Sequence, residues 1–313
     1  MITRHEKVCI VRAPCKINLH LSISGKRPDG FHDLKSLFAC LALSDTIKFT
    51  VCGKDGECAL STNEDLIAVE DNLVYKAVFL FRERTGYSDG LSVNLTKRIP
   101  IGAGLGGGSS DAASTLLALN ALAGSTASTE ELAEMAAVLG SDVPFFLGGG
   151  LAFVSGRGEI VEPIEMSISS SLAGLGVVLV KPHFSSDTAA AYRLLDEYRE
   201  QFHPKPSTPY SSDSSQPLIR ALTKAPDTWP FYNDFLPVFL AADREKSSTY
   251  QTILEDLKIA GAAFSSLSGA GSACFGIFPT PEMAKKAVNQ LAARGNSVVS
   301  TFFLANRTHT VVK

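Results

Sequence analysis

Along residues 16–23 apolar and polar side chains alternate without a break: Ile17, Leu19, Leu21 and Ile23 against Lys16, Asn18, His20 and Ser22. A period of two marks a strand with one set on each face, and a polar face of this kind is ordinarily solvated. The same period recurs at 91–96, where Leu91, Val93 and Leu95 alternate with Ser92, Asn94 and Thr96. After Gly108 the period changes: Ala113, Leu116, Leu117 and Ala121 fall at helical spacing, and Gly124 follows as a stop. Ser128 and Glu131 form a capping box ahead of another helix that closes at Gly140. Past a serine-rich joint at 167–171, the buried-type run 176–180 opens a second unit. There the pattern predicts helices at 234–242 and 248–259 and a strand–glycine–strand unit over 262–278. A helix entered through Pro279-Thr280-Pro281 and a last strand near 297–304 complete it. The stretch 203–230, rich in Pro and Ser, reads as a long surface loop or insertion. Two α+β units are predicted, residues 1–166 and 172–313.

The chain has 313 residues, 45% hydrophobic and 19% charged, with a formal net charge of −3. That length suits one large domain or two ordinary ones and can bury a real core. The charge argues against a broad nucleic-acid or membrane footprint, since both carry a basic excess. The best apolar run, 172–180, is about half of a membrane span. Residues 1–8 carry charge with no apolar segment after them, so no secretory signal is expected. With no transit peptide either, the expected compartment is a bacterial cytoplasm. The six cysteines include no C-x-x-C pair and the histidines are scattered, which predicts reduced thiols and no zinc site.

Candidate chemistry concentrates where glycine does. Gly102, Gly104, Gly106, Gly107 and Gly108 are five glycines within seven positions, between the 91–96 strand and the next helix. Bare backbone at a helix N-terminus makes an anion site, with free N–H groups, the positive dipole end and no side chain in the way. Gly102, Gly104 and Gly107 satisfy G-x-G-x-x-G. Against a dinucleotide fingerprint, Pro100 interrupts the approach and "NALAGSTAST" lacks the ribose-binding acid. No G-K-[ST] follows, which excludes a Walker loop. Asp142, two residues before Pro144, has two readings: a helix cap, or a reactive carboxylate.

"PIGAGLGGGSSDAA" closely resembles the phosphate-binding loop of the GHMP kinase superfamily, which includes galactokinase and the homoserine, mevalonate and phosphomevalonate kinases. Pro14-Cys15-Lys16-Ile17-Asn18-Leu19, followed by Arg27-Pro28-Asp29-Gly30-Phe31-His32, narrows this. It resembles the N-terminal signature of one family in the superfamily, the 4-diphosphocytidyl-2-C-methyl-D-erythritol kinases of the non-mevalonate isoprenoid pathway. "DNLVYKA" (71–77), "LGSDVPFFL" (139–147) and "LSGAGSACFGIF" (267–278) continue the likeness in order through both halves. The resemblance implies a two-domain α+β GHMP kinase fold. Its N-terminal domain is like the second domain of ribosomal protein S5, its C-terminal domain is ferredoxin-like, and the site lies between them. It also implies ATP and Mg²⁺ as cofactors, a small-molecule acceptor phosphorylated on its 2-hydroxyl, and a monomer or weak homodimer.

Site residues follow from the same resemblance. Asp142 matches the general base and Lys16 the cation that keeps it ionised. Pro100, Ile101, Gly102, Ala103, Gly104, Leu105, Gly106, Gly107, Gly108, Ser109 and Ser110 wrap the ATP phosphates, with Ser110 rather than Ser109 helping to place Mg²⁺. Asn72 matches an adenine-pocket asparagine. Asn18 lies near the acceptor, His32 reads the cytosine edge, Phe31 and Tyr192 sandwich the base, and Ser268 and Gly269 line the diphosphate end. Two positions depart from the family pattern: Cys15 stands where alanine is usual, and Phe31 where tyrosine is frequent. The phenyl ring keeps the π-face and loses the hydroxyl.

Overall fold

The computed structural model describes residues 7–53, 56–64, 68–202, 215–242, 244–292, 296–304 and 311–312. The alternating segment lies in β1 (Val8–Lys26), which turns at 27–31 into the antiparallel β2 (His32–Val51). Gly30 takes φ +85° in that turn, a conformation in which a side chain is strained. Then come β3 (Cys58–Thr62), α1 (Leu73–Thr85), β4 (Leu91–Thr96), α2 (Gly107–Leu122), α3 (Thr129–Leu139), α4 (Val143–Gly148), β5 (Leu151–Gly156), β6 (Ile160–Pro163) and α5 (Met166–Ser169). The second half contributes β7 (Gly176–Lys181), α6 (Thr188–Phe202), α7 (Gln216–Ala221), α8 (Phe235–Ala242), α9 (Arg244–Ile259), β8 (Phe264–Leu267), β9 (Cys274–Phe278), α10 (Pro281–Ala292), β10 (Ser297–Phe302) and β11 (Val311–Val312).

Two sheets organise these elements. The first has seven strands in the order β11-β1-β2-β4-β3, with β5 also pairing β2 and β6 beyond it. Such branching is possible because β2 is long: residues 34–39 pair with β5 and residues 46–51 with β4. The second sheet is antiparallel, in the order β10-β7-β9-β8. The short β11, for which the sequence pattern gives no signal, brings the chain end back onto β1.

β1 lies between layers. Ile17 and Leu19 are fully buried in a cluster with Val177, Leu179, Phe275 and Ile277 of the second sheet. The opposite face is covered as well, with Lys16, Asn18 and His20 only 4%, 3% and 1% exposed. The ordinary solvated face therefore does not form here. Register shifts fall between Pro14 and Lys16 and between Asn18 and His20. Irregularities of this kind re-aim side chains beside functional sites.

The capping box forms as predicted: Ser128 Oγ accepts from Glu131 N at 3.2 Å, and Glu131 Oε2 accepts from Ser128 N at 2.7 Å. One expectation is corrected. Of the predicted loop 203–230, residues 203–214 lie outside the described residues, but α7 occupies 216–221. Leu218, Ala221, Leu222 and Trp229 are buried in the same cluster as Ile17. Pro217 sits in the first turn of α7, where its missing N–H costs nothing, so proline here starts a helix. Among the described residues no helix is long and apolar enough to cross a membrane.

Candidate active site

The glycine loop is pinned by its carbonyls. Gly102 O accepts from Ser186 N (3.1 Å), Ala103 O from Ala273 N (3.1 Å) and Leu105 O from Lys16 N (2.9 Å); Gly104 O accepts from Ser268 Oγ (2.9 Å). Gly102, Gly104 and Gly106 all adopt positive φ. A Cβ on Gly104 would lie 2.2 Å from Ser268 O, and one on Gly106 would lie 2.8 Å from the Phe146 ring and 3.1 Å from Lys16 Cγ. With the carbonyls engaged by protein, the N–H groups opening α2 are the polar face left for a ligand. A cavity of about 290 Å³ lies against the loop, lined by residues 99–109 together with Asn72, Leu73, Lys97 and Asp111. Asn72 also caps α1, its Oδ1 accepting from Val74 N at 2.9 Å. Ser109 lines the cavity, whereas Ser110 is fully buried and its Oγ has no partner.

Behind Gly106 stands the charged pair. Lys16 Nζ lies 3.3 Å from Asp142 Oδ2 and 4.3 Å from the centre of the Phe38 ring. It donates to Asn18 Oδ1 at 2.7 Å. Asn18 Nδ2 donates to Ser36 Oγ at 2.9 Å, and Ser36 in turn donates to His20 O. Asp142 occupies the N-cap position of α4 but makes no cap hydrogen bond. Its carboxylate is turned to Lys16. Ser268 is fully buried with its hydroxyl on the glycine loop, and a Cβ on Gly269 would lie 3.4 Å from Asn18 Oδ1.

A third group gathers where β2 begins. His32 stacks on Tyr192 of α6, with ring centroids 4.9 Å apart and planes at 23°. Its Nε2 lies 2.7 Å from Asp196 Oδ1. Phe31 is half exposed and carries the Arg157 guanidinium 4.9 Å above its ring. Burial pushes the Tyr192 phenol up to about 12, and the negative charge of Asp142 adds to the shift, which links this group to the charged pair.

Comparisons with known proteins identify the family and the fold. Family models for the GHMP kinases N terminal domain and the GHMP kinases C terminal domain match residues 72–150 and 231–297. A curated 4-diphosphocytidyl-2-C-methyl-D-erythritol kinase from Prosthecochloris aestuarii is 39% identical over 292 residues, spanning 90% of this chain and 93% of that protein. The chain belongs to the 4-diphosphocytidyl-2-C-methyl-D-erythritol kinase family. Its fold is the two-domain GHMP kinase fold. A solved structure of 4-(cytidine 5'-diphospho)-2C-methyl-D-erythritol kinase superposes with a TM-score of 0.75 at 31% identity, covering 94% of this chain and 98% of that one. A chloroplastic kinase of the family from Oryza sativa is 48% identical over 194 residues. That match spans 61% of this chain and about half (48%) of the rice protein.

Not every residue that builds the site of this 4-diphosphocytidyl-2-C-methyl-D-erythritol kinase family member is among those the sequence singles out. Asp45 of β2, fully buried, accepts from Ile99 N (2.8 Å), from Arg98 N and from Lys97 Nζ. It thereby fixes where the glycine loop leaves β4. Lys97 also donates to Asp111 Oδ2 at 2.7 Å in the first turn of α2. Burial pulls the Lys97 ammonium down, but Asp111 and Asp45 outweigh it and hold it above its ordinary value. Burial raises Asp111 to about 8, with Lys97 opposing and Asp45 adding to the shift. Nothing local in the sequence marks Asp45; Lys97 and Asp111 flank the glycine run and were the nearest signal.

His20 gives a pH test of the covered face. Its Nδ1 has no partner, and burial pulls the imidazole down to about 4. An unfolded chain takes up this proton near pH 6.5, so between 6.5 and 4 the unfolded state binds more protons than the folded one. Stability from the neutral ring is thus complete above pH 6.5 and lost on acidification, by about 3 kcal/mol at pH 4. Urea midpoints measured from pH 7 to 4 should fall more steeply for the wild type than for His20→Phe. Parallel curves would show that His20 is not held neutral.

Proposed function

We propose that this kinase transfers the γ-phosphoryl group of ATP to the 2-hydroxyl of 4-diphosphocytidyl-2-C-methyl-D-erythritol. The observation that carries the reading is the Lys16–Asp142 pair, 3.3 Å apart and set directly behind Gly106 of the glycine loop. Phosphoryl transfer needs little covalent help from a protein; it needs in-line placement and charge stabilisation. The acceptor oxygen attacks the γ-phosphorus, the bond to the β-phosphate oxygen breaks and ADP leaves. Asp142 takes the hydroxyl proton. Lys16, held by Asn18 and seated over Phe38, pairs with that carboxylate and faces the charge that develops.

The donor side is supported by the loop. The N–H groups opening α2 take the phosphates, and Asn72, whose oxygen already caps α1, offers adenine its amide nitrogen. Mg²⁺ fits at Ser110, whose buried Oγ at the same helix start lacks any partner. Bound there with the nucleotide, it would neutralise phosphate charge. On the acceptor side the relatives' names supply the cytidine diphosphate. His32 with Tyr192 and the exposed face of Phe31 are the groups that would meet the base. We also read the chain as two units, 1–166 and 172–313, on the support that β1–β6 and β7–β10 belong to separate sheets.

The test is ADP release from ATP and Mg²⁺ with one acceptor at a time: cytidylylated methylerythritol, homoserine, phosphomevalonate or CDP. Turnover with the first alone is expected. Turnover with homoserine or phosphomevalonate instead would remove the acceptor assignment, and ATP binding without turnover on any would remove the reaction.

A further inference from the structure

α6 presents a second residue to His32 besides Tyr192. Tyr192 and Asp196 are four apart, hence one above the other on a single helix face. The first stacks on the imidazole and the second meets its Nε2 at 2.7 Å. Both His32 and Asp196 are largely covered, their side chains 5% and 26% exposed. The helix is itself fixed at its far end. Arg199 donates to Ile23 O at 2.7 Å and to Asp234 at 3.1 Å, and Asp234 accepts from Ile23 N at 2.7 Å. The ring is therefore held by one face and one nitrogen, from a helix tied to the neighbouring strand.

An ionised carboxylate only accepts, so in this contact the ring must donate. With Nε2 as the donor, the uncharged tautomer of the ring leaves Nδ1 as an acceptor. Lys26 Nζ, 3.6 Å from Asp196 Oδ2, pairs with the carboxylate's other oxygen and completes the set. We infer that Asp196 is a specificity-determining positioning residue: by fixing the tautomer of His32 it selects a nucleobase that offers an amino donor over one that offers a keto oxygen. This rests on the proposed reading that His32 faces the base of the acceptor. Cytosine presents an exocyclic amine where uracil presents an oxygen. An acceptor nitrogen pairs with the first and repels the second.

Asp196→Asn reverses the logic within nearly the same volume. Lys26 competes for the amide oxygen, which turns the amide NH₂ toward Nε2. The ring must then accept there and carry its hydrogen on Nδ1. Asp196→Ala removes the constraint without replacing it.

Two measurements test the inference, and only one of them needs an acceptor. The first is the ratio of kcat/KM for cytidylylated over uridylylated methylerythritol. A wild-type preference for cytosine should fall at least about tenfold in Asp196→Asn, and Asp196→Ala should also lower it. A merely structural role would slow both acceptors alike, and an unchanged ratio in folded variants overturns the inference. The second is the ¹⁵N spectrum of the His32 ring in the free protein, assigned by its absence in His32→Asn. The Nε2–H form in the wild type and its loss in Asp196→Asn are expected; an Nδ1–H ring in the wild type overturns it. If neither nucleotide-linked acceptor turns over, the substrate reading has failed, and the spectrum still decides whether Asp196 sets the tautomer.

Discussion

Asp142→Asn is expected to lower kcat by about a thousandfold while leaving thermal stability almost unchanged. A positioned general base is worth roughly 10²–10⁴ in rate, and the amide cannot take the proton. Stability should hold because the carboxylate makes no cap bond to α4 although it stands at the N-cap. Lys16 also keeps Asn18 and the Phe38 face when the charge is removed. Steady-state kinetics and a thermal melt on the same preparation separate the two readings of Asp142. A large drop in melting temperature with modest loss of rate would return it to the role of a cap.

Gly104→Ala is expected to be the most damaging small substitution in the glycine loop. The added carbon would lie 2.2 Å from Ser268 O and 2.9 Å from Gly271 O, both backbone atoms, at a φ of +73°. Left-handed strain costs about 1–2 kcal/mol, and forced overpacking adds about 1–3 kcal/mol. The sum of about 2–5 kcal/mol corresponds to a melting temperature lower by roughly 10 °C. Nucleotide binding should go with it, so added ATP and Mg²⁺ should no longer raise the midpoint. Gly124→Ala is the control: its φ is +80° but nothing lies within 4 Å of the new atom. The variant should lose only the conformational part, and equal losses at the two sites would show that the contact with Ser268 is not tight.

What could be read from the sequence was whatever depends on neighbours in the chain. The glycine run before a helix, the Ser128–Glu131 capping box and the alternation along β1 are local patterns, and each forms. Burial of the polar face of β1 is not local, because it depends on what packs over Lys16, Asn18 and His20 from elsewhere. Asp45 stands 52 residues from Lys97, which itself lies 14 from Asp111, so no window of sequence contains the cluster. Asp196 carries no local signal, because its partner His32 lies 164 residues away in the chain. The misreading at 216–230 had a different cause. Proline ordinarily marks a loop, whereas Pro217 starts a helix whose Leu218 and Ala221 are buried in the core.

The pinning of the glycine loop has a consequence for how the protein comes into being. Lys16 reaches Leu105 O from the chain's first strand, but the partners of Gly102, Ala103 and Gly104 are Ser186, Ala273 and Ser268. Contacts that distant in sequence form late, because the loop entropy must be spent before they return anything. On the ribosome the residues that hold the loop are not all made until residue 273 has been synthesised. The nascent chain thus carries its glycine loop for most of its synthesis up to residue 273 without the clasp that shapes it.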